Sequence, residues 1–168
     1  MRTIIAIVVI LLADLAGAHG QISTAAPRAS DQSVMVRAVV AEFGRRLRMV
    51  AVLAGKDLAA RAMEEQYAAL VSKDLLAAWQ ENPERAPGKR TSSPSPERID
   101  ISAIKAKGDN AYEVKGKVIL LTAQERREGG VFQANPVTMT VLLQDGRWVI
   151  AAYCEIEADP ARDEVRRP

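Results

Sequence analysis

Apolar residues in the first half of the chain recur at the spacing of α-helices. From residue 36 they fall every three or four positions, which places them on one stripe of a helix that Gly55 ends. Either Asp31 or Ser33 can cap this helix at its start. The stripe consists of Val36, Val39, Val40, Phe43, Leu47, Val50 and Ala54. The pattern therefore predicts one long amphipathic helix at the beginning of the folded region.

Two shorter helices and a long loop are predicted to follow. One helix begins after Gly55 with Asp57 as its cap, and the next is capped by Ser72 and ends at Pro83. Residues 82–96 (NPERAPGKRTSSPSP) contain four prolines, which predict a loop. Loops of this length serve in binding or are simply mobile, and the sequence leaves both open.

From Ile99 onward the apolar period changes to two, which predicts four β-strands in an antiparallel meander. The three turns that join the strands are predicted at Asp109-Asn110, Gly129-Gly130 and Asp145-Gly146. These turns give two inward rows of facing residues, Ile101-Val118-Val141-Ile150 and Ile99-Leu120-Met139-Ala152. All three turns direct the same residues inward, and a one-residue slip would turn a strand's set outward. Ile104 breaks the alternation and indicates a β-bulge.

The opposite face of the predicted sheet mixes polar and apolar residues. Full exposure of its apolar members would leave a surface patch of the kind that binds a protein partner or a second copy of the chain. The alternative is that the N-terminal leader or the C-terminal segment covers this face. The interface candidates are Ile119, Leu121, Leu142, Val149 and Tyr153.

Helices followed by a strand meander predict an α+β domain, with N-terminal helices packed on a curved four-stranded antiparallel sheet. The element order, together with Tyr67-x-x-Leu70-Val71-Ser72-x-x-Leu75-Leu76 before a proline-rich loop, resembles the nuclear transport factor 2-like group. The related cystatin-like arrangement is the near rival. The resemblance covers residues 31–157 and implies a cone in which a curved sheet wraps around helices. Members of this group include enzymes, transport factors and domains without known activity, so the resemblance implies no single function.

The N-terminus is typical of a secretory signal. Arg2 precedes the apolar run from Ile4 to Leu12, and small residues follow, with a cleavage site expected after Ala18. The run is too short to span a membrane, so no stable span is expected after cleavage. The predicted divisions are a signal peptide 1–18, a flexible leader 19–30, one domain 31–157 and a flexible tail 158–168. We expect an extracytoplasmic protein, whether periplasmic, envelope-associated or secreted.

Composition excludes several kinds of chemistry. The net charge of +2 is too small to indicate a nucleic-acid partner. The only histidine is His19, outside the predicted domain, so an imidazole base or a histidine-bound metal is not expected there. The predicted inward rows carry no carboxylate, and Cys154 is expected to be a small core residue. No cofactor or metal is predicted, and the sequence favours a non-catalytic domain over an enzyme.

Two further groups of side chains are candidates for binding. Aromatic residues in the cone could line a pocket for a small apolar ligand or for weak lyase or isomerase chemistry, although such residues most often fill a core. The pocket candidates are Tyr67, Trp79, Tyr112 and Trp148. The basic residues Arg45, Arg46, Lys89 and Arg90 could meet an anionic envelope polymer, but a solvated surface is favoured. Protein interaction or self-association is the leading prediction, and ligand binding is the alternative.

Overall fold

The computed structural model describes residues 29–156. The predicted signal peptide, nearly all of the leader and the predicted tail 158–168 lie outside these residues. The helices are α1 (Ala29–Arg46), α2 (Lys56–Tyr67), α3 (Lys73–Glu81) and α4 (Ala123–Glu128), with short 3-10 turns at Leu47–Met49 and Pro83–Arg85. The strands are β1 (Ser95–Gly108), β2 (Ala111–Leu121), β3 (Gln133–Gln144) and β4 (Arg147–Glu155).

The predicted α+β architecture is confirmed. The four strands form one curved antiparallel meander in the order β1-β2-β3-β4, and the N-terminal helices pack on its inner face. Ser72 caps α3 as predicted, because its hydroxyl accepts a hydrogen bond from the Leu75 amide at 3.3 Å. Within residues 29–156, no helix combines the length and apolarity that crossing a membrane requires.

The β3–β4 hairpin confirms part of the predicted register. Next to the Asp145-Gly146 turn, Leu143 faces Trp148 and Val141 faces Ile150, as predicted. Farther along, Met139 faces Tyr153, so the predicted pairing with Ala152 is wrong. The cause is a bulge in β4, where residue 151 has no partner between the pairs Thr140–Ala152 and Val141–Ile150.

The connection between β2 and β3 differs from the predicted Gly129-Gly130 hairpin. Residues 123–128 form α4, and its capping box joins Thr122 to Glu125 at the start of the helix. The strands therefore pair elsewhere, and Val118 faces Asn135 instead of Val141. The slip is six residues (141 − 135), an even number, so the inward residues stay inward. Val118 and Ile150 accordingly both belong to the core.

The β1–β2 pairing also slips by an even number. Ile101 faces Gly116 and Ile99 faces Val118, two residues from the predicted register. A bulge between Ile101 and Ala103 confirms the irregularity that Ile104 indicated in the sequence. Gly116 lies beside this bulge, where an added Cβ would come within 2.6 Å of the Asp100 carbonyl oxygen. A larger residue at Gly116 would therefore push the two strands apart.

Candidate ligand cleft

A cleft of about 520 Å³ opens between the proline-rich loop and one end of the inner sheet face. Leu120 supplies apolar surface to it, and Leu47 and Val118 lie beside it but are almost fully buried. Ala86, Pro87 and Pro94 form the wall on the loop side. Its polar lining includes Gln133, Asn135, Tyr153 and Glu155 from the sheet and Arg85 and Arg90 from the loop. The lining thus combines apolar surface with a small number of polar groups, as ligand sites generally do.

Backbone and side-chain hydrogen bonds fix the loop wall. The Lys89 amide donates to the Val50 carbonyl at 2.7 Å, and the Val52 amide donates to the Lys89 carbonyl at 3.2 Å. The buried Tyr67 hydroxyl donates to the Pro87 carbonyl at 2.8 Å. Gly88 lies so close to the Val50 backbone that an added Cβ would be 2.6 Å from the Val50 carbonyl oxygen. Between Pro87 and Lys89 the loop is therefore a wall tied to the helical layer.

Four polar side chains form a hydrogen-bonded row on the floor of the cleft. The Gln133 amide donates to Asn135 Oδ1 at 2.7 Å, and the Asn135 amide donates to Glu155 Oε1 at 2.8 Å. The Tyr153 hydroxyl donates to Glu155 Oε2 at 2.5 Å. Asn135 is only 4% exposed, so these bonds offset the cost of removing its amide from water. We call Gln133, Asn135, Tyr153 and Glu155 the polar row.

The polar row corrects the expectation that no carboxylate points inward. If side chains alternated regularly along β4, Glu155 would face outward, because it lies an odd number of residues after Ile150, which faces inward. The unpaired residue 151 reverses the alternation, so Tyr153 and Glu155 line the cleft instead. The polar row was missed although Gln133-x-Asn135 and Tyr153-x-Glu155 each repeat a polar residue at a period of two. That repeat, at the ends of otherwise apolar strands, is the signal that could have revealed it.

The hydroxyl of Tyr153 is held in its protonated form. Burial above all raises its pKa well above the ordinary value, and the neighbouring Glu155 carboxylate raises it further. The positive charge of Arg90 acts in the opposite direction. Burial likewise raises the pKa of Tyr67. Both tyrosines therefore act as hydrogen-bond donors at neutral pH.

The four aromatic pocket candidates fill the core and do not line this cleft. Tyr67 and Trp79 pack with Phe43 and Tyr153 in a cluster whose ring centroids lie 5.0 to 6.1 Å apart. Tyr112 and Trp148 form a separate edge-to-face pair with centroids 5.3 Å apart. Tight packing among large rings leaves no space between them for a ligand.

The sequence left open whether the apolar residues of the outer face form an exposed patch or are covered, and in the structure they are not exposed. Ile119, Leu121 and Val149 are only 3%, 6% and 5% exposed, and Leu142 is half-buried. Tyr153 is on the inner side, packed against Phe43 and Trp79, because the β4 bulge turned it inward. Whether another chain docks on the outer face stays a prediction, but these side chains do not form an open surface for it.

Cys154 is exposed at the edge of the cleft and is not a core residue. It pairs with Thr138, whereas the predicted partner Val137 faces Glu155. The same bulge accounts for the difference. In residues 29–156, no group of three or more His, Cys, Asp or Glu side chains is placed to hold a metal ion.

The predicted basic surface is largely paired. Arg45 and Arg46 both bind Glu42, with 2.6 Å between Arg46 Nε and Glu42 Oε1. These hydrogen bonds, that from Arg46 first, lower the pKa of the Glu42 carboxyl. Arg48 and Arg126 both bind Glu97, each at 3.0 Å. Much of this charge thus stabilises helix and strand contacts.

Similarity of this chain to known proteins is found among solved structures, at low TM-scores. No protein-family model matches the chain, and no curated protein matches it. Among solved structures, the chain is similar to an NTF-2-like protein of unknown function from Shewanella oneidensis MR-1. The identity is 20%, the likeness covers 62% of this chain and 92% of that one, and the TM-score is 0.34.

The chain is also similar to a variant, with five substitutions, of a protein named Rd1NTF2. In this case the identity is 12%, the likeness covers 76% of this chain and 98% of that one, and the TM-score is 0.38. Both names belong to the group that the sequence resembles.

Proposed function

We propose that this chain binds a small ligand of mixed polarity in the cleft between the proline-rich loop and the sheet. The observation that carries the proposal is the polar row, which is ordered by its own hydrogen bonds at the end of an otherwise apolar inner face. Polar groups are costly to bury, and a fold that only needed a core would place apolar residues there.

The shape of the cleft supports the same proposal. Its volume of about 520 Å³ lies within the range of small-molecule sites. The wall is anchored through Tyr67 and Lys89, so little ordering of the loop is needed when a ligand enters. A preformed site loses less binding free energy to ordering than a mobile one does.

Binding fits the cleft better than catalysis does. Among the described residues that line the cleft, Glu155 is the one with a carboxylate, and each of its oxygens accepts a hydrogen bond from a neutral donor. Residues 29–156 contain no histidine that could exchange protons at neutral pH. The groups present can therefore orient a ligand through hydrogen bonds.

A fragment screen by protein NMR tests the proposal. Fragments that bind should shift the side-chain amide signals of Gln133 and Asn135 together. Leu120→Trp, which fills the cleft from its floor, should abolish those shifts. Leu53→Trp is the matched control, because Leu53 is exposed away from this cleft and the control should leave the shifts unchanged. Fragments that bind equally well to the Leu120→Trp variant would contradict the proposal.

We further propose that the site works outside the cytoplasm. The support is the charged, apolar and small-residue order of residues 1–18. Mass spectrometry of the chain recovered from the cell envelope or medium should give a mature N-terminus at His19. Recovery of the chain with Met1 in the cytoplasm would overturn this part of the proposal.

A further inference from the structure

Three lysines on β1 and β2 give the outer face of the sheet a positive surface. They point outward, because on their strands they alternate with residues that belong to the core or pack against it, such as Ile104, Val114 and Val118. All three lysines are exposed. We call this surface the lysine face, and its members are Lys105, Lys115 and Lys117.

The carboxylates of the same two strands are already bound by other cations. Arg98 donates to both oxygens of Asp100, at 2.8 and 3.3 Å. Lys107 binds Glu113 at 3.3 Å, and Glu97 binds two arginines as described above. Among residues 29–156, the three members of the lysine face form no ion pair. Their charge is therefore available to a partner.

Helices α2 and α3 carry the opposite charge on the other side of the molecule. They pack inward through residues such as Met63, Tyr67 and Trp79, so their charged side chains face away from the sheet. Five of these side chains are acidic and three are basic, and all eight are exposed. Within the described part of the chain, none of the eight forms an ion pair. The five acidic residues, which we call the acidic surface, are Asp57, Glu64, Glu65, Asp74 and Glu81.

From these two surfaces we propose that copies of this chain associate head to tail, with the lysine face of one copy against the acidic surface of the next. Complementary charge steers such an encounter and fixes its orientation. The two surfaces lie on opposite sides of the molecule, so one symmetric contact between two copies cannot use both of them. The contact is therefore heterologous, and its repetition gives an open chain or a closed ring.

A second copy fits the lysine face better than an anionic membrane does. Lasting attachment to a membrane needs apolar groups that insert as well as positive charge. On the outer face, Ile119 and Leu121 are only 3% and 6% exposed and cannot insert. A membrane would also leave the acidic surface unmatched, whereas a second copy matches both surfaces. The association does not depend on the ligand proposed for the cleft.

Analytical ultracentrifugation of the purified chain over a range of concentrations tests the association. At about 10 mM salt, where charges act over about 30 Å, the weight-average mass should rise with concentration above that of one chain. At about 1 M salt, where the range falls to about 3 Å, the mass should return to that of one chain. A chain that stays monomeric at low salt would overturn the inference, even if its lysine face bound phosphatidylglycerol vesicles. Association that survives at about 1 M salt would overturn it as well.

Charge-reversal variants identify the two surfaces. Lys115→Glu/Lys117→Glu should weaken association at low salt at least about tenfold, because it sets acidic residues against the acidic surface. Arg37→Glu/Arg127→Glu is the matched control, since it changes the net charge equally at exposed positions outside both surfaces and should keep the association. An equal loss in the control would show that net charge is responsible and would overturn the inference.

A second variant tests the acidic surface and the pairing of the two. Glu65→Lys/Glu81→Lys should also fail to associate by itself, because both of its surfaces are then basic. Mixed with the Lys115→Glu/Lys117→Glu variant, whose two surfaces are both acidic, it should form mixed complexes at low salt. All four substituted residues are exposed, so both variants should fold, and circular dichroism checks this. Two folded variants that remain monomeric when mixed would overturn the inference.

Discussion

The inner face of the sheet has two ends that the same strands build in different ways. At the filled end, near the β3–β4 turn, Tyr112, Val141, Trp148 and Ile150 are all buried. At the open end, the polar row of Gln133, Asn135, Tyr153 and Glu155 faces a cleft. The filled end excludes water by packing apolar side chains, whereas the open end satisfies its polar groups before any ligand arrives.

The difference shows that a core position and a cleft position can lie only a few residues apart on one strand. Residue 151 is the unpaired residue of the bulge, and it lies between Ile150 of the filled end and Tyr153 of the open end. Because the bulge reverses the alternation of β4, a tyrosine and a carboxylate face inward where Ala152 and Cys154 otherwise would. The predictions below test the two ends against each other, beginning with the largest effect.

At the filled end, Ile150→Ala should lower the free energy of unfolding by about 2–5 kcal/mol, because it leaves a cavity at a fully buried position. Thr140→Ala, on the neighbouring strand and partly exposed, should change it by less than about 0.5 kcal/mol. Urea denaturation followed by circular dichroism measures both. Equal losses in the two variants would mean that Ile150 does not belong to the core.

At the open end, Tyr67→Phe should cost about 1–3 kcal/mol, since it leaves the buried Pro87 carbonyl without its donor. Tyr112→Phe is the matched change at the filled end. The Tyr112 hydroxyl donates to Gln32 at 3.2 Å in a partly buried contact, so its loss should cost less than about 1 kcal/mol. Chemical denaturation compares the two variants, and a larger loss for Tyr112→Phe would refute the anchoring role of Tyr67.

Deletion of Ala151 tests the boundary between the two ends. Removing the unpaired residue keeps the pairs Val141–Ile150 and Thr140–Ala152, so Tyr153 and Glu155 stay inward. The deletion should therefore cost only about 1–2 kcal/mol, as an ordinary single change does. In a strand without the bulge, Tyr153 would face outward, and the same deletion would reverse the faces of all the residues that follow it. Loss of the folded state on deletion, seen by thermal denaturation, would thus contradict the bulged register of β4.

The smallest effect is expected away from both ends, at Glu42 on α1. Hydrogen bonds from Arg46 and Arg45 lower the pKa of Glu42 below its ordinary value of 4.5, so the ion pairs stabilise the fold above that pH. This contribution, at most about 0.5 kcal/mol for a surface pair, is lost as the pH falls through the lowered pKa. Glu42→Gln should therefore differ from the parent chain at pH 7 and match it at pH 2. Unfolding curves at the two pH values measure this, and a difference that persists at pH 2 would exclude the ion pairs as its cause.

The filled end was predicted from the sequence, and the open end was not. Asp145-Gly146 is a strong turn signal, and it gave the right partners for Trp148 and Ile150. The Asp109-Asn110 turn is also where it was predicted, and bulges within the β1–β2 pairing cause the two-residue slip there. This slip and the six-residue slip between β2 and β3 are even-numbered, so the inward set survived them. The Gly129-Gly130 turn failed because the Thr122-x-x-Glu125 capping box starts a helix there instead.

The bulge itself has no comparable signal. Ala151 and Ala152 are identical in chemistry, and nothing in their composition says which of them goes unpaired. The polar row depends on that choice, so its position follows from tertiary packing of Tyr153 against Phe43 and Trp79. The local pattern of apolar residues therefore predicts the fold class, whereas long-range packing determines the position of the polar row.

Cys154 provides a site for labelling the edge of the cleft. It is the chain's single thiol, it is exposed, and it lies at the cleft edge beside Glu155. A maleimide dye sensitive to its surroundings would therefore attach at one position and report by its emission when the neighbouring cleft fills. One labelled sample could then be titrated with many compounds in turn, and the natural ligand need not be identified beforehand.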